Sequence, residues 1–106
     1  MNKFYIQESA QVDDEIGGLI EIWVDFETVK GFIDLVTGTN LNTVQNAFIE
    51  QSTHVLIIPA FTKGITDDMR VIDSNGRIYG ITYSDDPVGL GHHNEVYCKY
   101  EGDISG

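Results

Sequence analysis

The chain has 106 residues, enough for one domain that buries roughly 60–70% of its unfolded surface but not for two cores. A content of 42% hydrophobic and 22% charged residues excludes a disordered polyelectrolyte. The 17 Asp and Glu against 6 Lys and Arg, a net charge of -11, disfavour stable docking on DNA or acidic lipid.

Met1-Asn2-Lys3 leads into three apolar residues, too few for a secretory h-region, and no run approaches membrane-spanning length, so synthesis in the cytosol is expected. Lys3 to Gln7 predicts a short strand. Glu8 to Gly18, which holds the dense acid of Asp13-Asp14-Glu15, predicts a loop. From Leu19 the even positions Ile20, Ile22, Val24 and Phe26 are apolar and alternate with Glu21 and Asp25, the period of a half-buried strand, with Trp23 on its polar face. Beyond Glu27 the phase shifts to Val29, Ile33 and Leu35, which predicts a bulge or bend near Glu27-Thr28.

Thr37 to Gln51 is the one helix candidate, with Leu41, Val44 and Phe48 at i, i+3 and i+7 after a Thr39 or Asn40 cap. Asn40, Asn42, Thr43, Val44 and Asn46 are weak helix formers, so the segment needs a partner surface to stay ordered. Ser52 to Tyr83 is the most strongly patterned stretch. Val55 to Ile58 is too short for a helix and rich enough in β-branching to predict a strand buried on both faces, from His54 to Ile58. A linker from Pro59 to Asp68 precedes Met69 to Ile72 and Arg77 to Tyr83, a hairpin about Asp73-Ser74-Asn75-Gly76. Asp85 to Asn94 predicts a loop, and Glu95 to Tyr100 alternates Val96, Cys98 and Tyr100 against Glu95, Tyr97 and Lys99 as the last strand.

With no internal repeat or low-complexity run, these elements predict one mainly β domain over residues 1–106: a small barrel or sandwich of about six strands with one short helix in a long loop. Its expected core is Ile22, Val24, Val55, Ile57, Val71, Ile78, Ile81 and Val96. Cys98 is the only cysteine, which excludes an internal disulfide, and it suits a buried apolar position.

A catalytic or metal constellation is not legible, so no catalytic residue, cofactor or metal is expected. His92-His93, beside Asn94-Glu95, is the best cluster, but neighbours in a strand point to opposite faces and no third ligand recurs at metal-site spacing. His54 has no nucleophile with an orienting carboxylate beside it in sequence. The pairs Asp13-Asp14, Asp67-Asp68 and Asp85-Asp86 lack the alternating ligands and distal Glu of a calcium loop, as does Asp73-Ser74-Asn75-Gly76. Tyr79, Tyr83, Tyr97 and Tyr100 lack the basic neighbours of a single-strand binding platform.

Ser52-Thr53-His54-Val55, followed by Ile65-Thr66, Met69-Arg70-Val71, Gly76-Arg77-Ile78-Tyr79 and Asp85-Asp86-Pro87, resembles the head-tail joining proteins of tailed phages, also called head-closure or stopper proteins. Gly17-Gly18 and Trp23 upstream and Glu95-Val96-Tyr97 downstream extend the likeness in order, while Pro59-Ala60 departs from it, where relatives often carry a basic-aromatic pair. The resemblance implies a structural subunit, not an enzyme, in a dodecameric ring under the portal and adaptor of the virion neck. That ring retains packaged DNA and receives the tail through a tail-completion protein. It also implies that the connection before the Ser-Thr-His strand enters the channel, which gives Leu41, Val44, Ala47 and Phe48 as channel-loop or assembly residues. The isolated chain is expected to be mainly monomeric, because net charge disfavours self-association without a template. The alternatives are a small barrel-type binding module for a protein or basic ligand, and an enzyme using His92 or His93.

Overall fold

A computed structural model describes residues 1–36, 52–86, 89 and 91–104, and all that follows concerns these. Six strands run β1 (Asn2–Asp13), β2 (Leu19–Leu35), β3 (His54–Ile58), β4 (Arg70–Ile72), β5 (Arg77–Asp85) and β6 (Asn94–Asp103). Every pairing is antiparallel, and the order β1-β2-β3-β6-β5-β4 closes on itself through β4 against β1. Of the barrel and sandwich that the alternation allowed, the chain forms the barrel, which leaves no free edge around the wall. The helix expected over Thr37 to Gln51 falls outside the described residues.

One strand is longer than its composition suggests. Glu8 to Asp13, expected as loop, continues β1, because β2 supplies a full ladder: Glu8 faces Val24, Ala10 faces Ile22 and Val12 faces Ile20. Pairing of this kind overrides the weak strand preference of a Glu-Ser-Ala-Gln run. The phase shift in β2 is a bulge, displaced by one residue from its expected place. Ile6 pairs with Glu27 and Gln7 with Asp25, so Phe26 has no partner across the ladder and packs against the core.

The core lies inside the barrel and takes one face of each strand: Phe4 and Ile6, Val29, Leu56 and Ile58, Val71, Tyr79 and Ile81, Val96 and Cys98, with Ile65 and Met69 from the β3–β4 connection. Val71, Ile81 and Val96 are buried, whereas Ile22, Val24, Val55, Ile57 and Ile78 are only half-buried. The reasons differ by place. Ile22 and Val24 sit on the part of β2 that runs beyond the barrel wall. On β3 the alternation aims Leu56 and Ile58 inward, so Val55 and Ile57 take the outer face, and the strand is not fully buried on both sides. Ile78 belongs to an outer cross-strand row with Ile72 and Tyr5, while Tyr79 fills the core.

Two glycines are needed by geometry. A Cβ on Gly31 would lie 2.2 Å from the Ile57 carbonyl oxygen, so only glycine lets β2 approach β3 there. Gly76 closes the β4–β5 turn at φ 81, as its Asn-Gly signature predicts. The burial pattern makes a direct prediction. Leu56→Ala should cost about 2–5 kcal/mol by lost burial and a residual cavity, and Ile57→Ala clearly less. Equal losses in chemical denaturation would place Ile57 in the core after all.

Candidate functional site

At one end of the barrel, where β2 leaves and β3 begins, a cavity of about 310 Å³ is lined by Phe4, Leu35, His54, Asp73, Arg77 and Tyr79, among others. Several of its polar groups are already engaged. Asp73, only 9% exposed, accepts the Asn75 amide at 2.8 Å and the Arg77 amide at 2.9 Å on Oδ1, and the Tyr79 hydroxyl at 3.2 Å on Oδ2. Burial, then the Asp73 charge, pushes the Tyr79 phenol above its ordinary range, which keeps it a donor. The His54 ring stands edge-on to Tyr79 with centroids 5.1 Å apart. The Thr53 hydroxyl meets His54 Nδ1 at 2.7 Å, but it also accepts the Tyr100 amide at 2.8 Å and so helps fasten β3 to β6. The arrangement is a structural polar knot, in which His54 is steadied by an aromatic ring and not by a carboxylate.

The histidine pair is closer than strand alternation suggested. Nδ1 of His92 and Nδ1 of His93 are 3.0 Å apart, so one ring donates to the other, and His93 Nε2 lies 3.1 Å from Glu95 Oε2. Still, no group of three or more His, Cys, Asp or Glu among the described residues is placed to hold a metal ion. Cys98 is fully buried, and desolvation pushes its thiol up to about 12, far from the thiolate that nucleophilic chemistry requires. The acid pairs serve turns: Asp13 Oδ1 accepts the Glu15 amide, Thr66 donates to Asp68, and Asp86 accepts the Gly91 amide.

The second candidate surface is the distal β1–β2 hairpin, beyond the bulge. Six residues of β1, Glu8 to Asp13, carry it on the order of 20 Å from the wall. Its root is fastened on the outer face. The Arg70 guanidinium lies 4.4 Å from the centre of the Trp23 ring, its Nε donates to Gln7 Oε1 at 2.8 Å, and Gln7 Nε2 donates to Asp25 Oδ1 at 3.1 Å. A cation over an indole contributes on the order of 0.5–1 kcal/mol in an exposed setting. Trp23, placed on the polar face by alternation, is there because Arg70 waits beneath it. At the tip Asp14 Oδ1 accepts the Gly18 amide at 2.8 Å and the Ile16 amide at 3.0 Å. Ile16 is 88% exposed and Leu19 68%.

Sequence reasoning also missed Asn94. It is 3% exposed, accepts the Thr62 amide at 2.7 Å and donates to the Thr62 carbonyl at 3.0 Å, and so pairs with the β3–β4 connection as a strand would. The expected channel-loop residues Leu41, Val44, Ala47 and Phe48 lie outside the described residues.

Fold and site together define a small antiparallel barrel in which Asp73, Asn94, Arg70 and members of the acid pairs are engaged in turns and clamps. The family of phage head completion proteins matches residues 2–101, and the chain belongs to that family. Its role is therefore structural, in completing the phage head with other virion proteins. No curated protein matches. The solution structure of a Shigella flexneri 2a protein has the same fold at 20% identity, covering 94% of this chain and 91% of that one, with a TM-score of 0.68. No helix among the described residues is long and apolar enough to cross a membrane.

The arm tip has a measurable signature. The Ile16 and then the Gly18 amide hold the Asp14 carboxyl below its ordinary value, so these hydrogen bonds persist above that value and are lost only as pH falls through the lowered one. In NMR titrations the Ile16 and Gly18 amides should report a midpoint below that of an unperturbed Asp carboxyl. A midpoint at or above it would mean that Asp14 does not hold the turn.

Proposed function

We propose that this chain is the head-closure, or stopper, subunit of a tailed phage or prophage. It assembles as a ring, taken as dodecameric, below the portal and its adaptor, retains packaged DNA and presents a seat for the tail-completion protein. The family match over residues 2–101 carries this reading. Charge supports it independently, since a net charge of -11 suits a conduit wall from which DNA must slide without sticking. The same charge makes the free subunit a monomer, with assembly driven by the template of the preceding ring. The chain is made in the host cytoplasm and ends in the virion neck, and no cofactor or metal takes part. Leu41, Val44, Ala47 and Phe48 are the residues we assign to the channel.

Deleting the gene from the phage or prophage that encodes the chain tests this. Mutant lysates should contain heads that package DNA, lose it on standing and remain tailless, and adding the purified chain to fresh mutant heads should restore tail joining. Mutants that yield stable, tailed, infectious particles would refute it.

A further inference from the structure

The outer face of the β1–β2 ribbon changes sign along its length. On the barrel wall Phe4 and Ile6 of β1 and Val29 of β2 point inward, so Lys3 and Tyr5, with Lys30 and Thr28 across the ladder from them, point out. Lys3 directly faces Lys30, and like charges so placed repel. Both are exposed, and neither forms an ion pair among the described residues. Asp34, farther along that side of β2, accepts the Leu35 amide at 2.8 Å instead. Two exposed apolar side chains flank the lysines: Met1, which lines a cavity with Thr28 and Lys30, and Phe32, two residues on along β2.

On the arm the same face carries the opposite sign. Gln7, Ser9, Gln11 and Asp13 continue the side of Lys3 and Tyr5, and the ladder sets Asp25, Trp23, Glu21 and Leu19 beside them. No Lys or Arg occurs between Gln7 and Asp25. Arg70 at the root is taken up by Trp23 and Gln7, so the distal acids Asp13 and Glu21 stand without a base, next to the exposed Leu19. Each end of the ribbon thus lacks what the other offers. A single chain cannot bring them together, since Lys3 and Asp13 are about 33 Å apart along β1, far beyond side-chain reach.

A ring has a use for two such patches, because its contacts are heterologous and join different surfaces of successive copies. We infer that the outer face of the arm, at Asp13, Leu19 and Glu21, docks on the Lys3 and Lys30 wall of a second copy of this chain. Carboxylates brought to the wall relieve the repulsion between its lysines, and Leu19 against Met1 and Phe32 adds apolar burial. The net charge of -11 opposes this contact between free chains, and a template that gathers copies raises their effective concentration enough to form it. The inference rests on the head-closure reading and adds to it which surfaces of neighbouring copies meet.

The experiment loads DNA-filled heads from phage lacking the chain with equal amounts of unlabelled and isotope-labelled full chain, and treats them with a carbodiimide. Amide links should join Lys3 or Lys30 to Asp13 or Glu21 in peptides that combine one light and one heavy chain. Lys3→Glu with Lys30→Glu should lower the number of copies held per head by a factor on the order of ten, as should Asp13→Lys with Glu21→Lys. Mixing the two double variants, or combining all four changes in one chain, should restore loading, because every contact again pairs opposite charges. That restoration separates a lost contact from a lost fold. Absence of the mixed light-heavy links, undiminished loading of either double variant, or a quadruple variant that loads no better than the doubles would each overturn the inference. Wild-type chain that fails to bind the heads at all would instead bring down the head-closure reading on which it rests.

Discussion

Everything in this fold turns on the register skip opposite Ile6 and Gln7. In a regular ladder β1 and β2 would be a plain hairpin of nearly equal arms. Leaving Phe26 unpaired increases the local twist and lets one pair of strands do two jobs. Below the skip, Phe4 and Val29 pair across the wall and fill the barrel. Above it the same two strands leave the wall as a ribbon. Phe26 itself packs on the core, and a Cβ on Gly64 of the β3–β4 connection would come within 3.1 Å of its ring, so the connection lies directly over it.

The connections are held by side chains that imitate backbone. Asp73 gathers two amides and a phenol to fix the β4–β5 turn, and Asn94 gives Thr62 both halves of a strand pairing. Each such bond is worth on the order of 1 kcal/mol net, but losing one partner in a buried site costs more, because the other is left dry and unpaired. Among the described residues no buried side-chain nitrogen or oxygen lacks a partner.

The β domain was legible because its strands alternate and its turns are punctuated, but the choice of barrel over sandwich came only with the closure of β4 on β1. Leu19 to Leu35 announced both a strand and its change of phase, and Asp73 to Gly76 announced the hairpin. The arm was not legible, because Glu8 to Asp13 has the composition of a loop and becomes a strand only by pairing with β2. Nor could four apolar residues in a row reveal which parity of β3 faces inward, since that is set by Ile33 and Val96 across the ladder from Leu56. Gly31 and Asn94 were equally silent. Their roles depend on Ile57 and Thr62, which lie far along the chain. The Trp23 clamp was half-visible, as an aromatic residue on a polar face without its cation.

Barrel and arm are distinct parts of the fold: a closed wall without free edges, and a two-stranded extension beyond it. A net charge of -11 disfavours prolonged contact of the chain with DNA. Cryo-electron microscopy of the neck in mature particles tests the head-closure reading most directly. That reading predicts copies of the six-stranded barrel ringed between portal and tail. A neck without this barrel would contradict it.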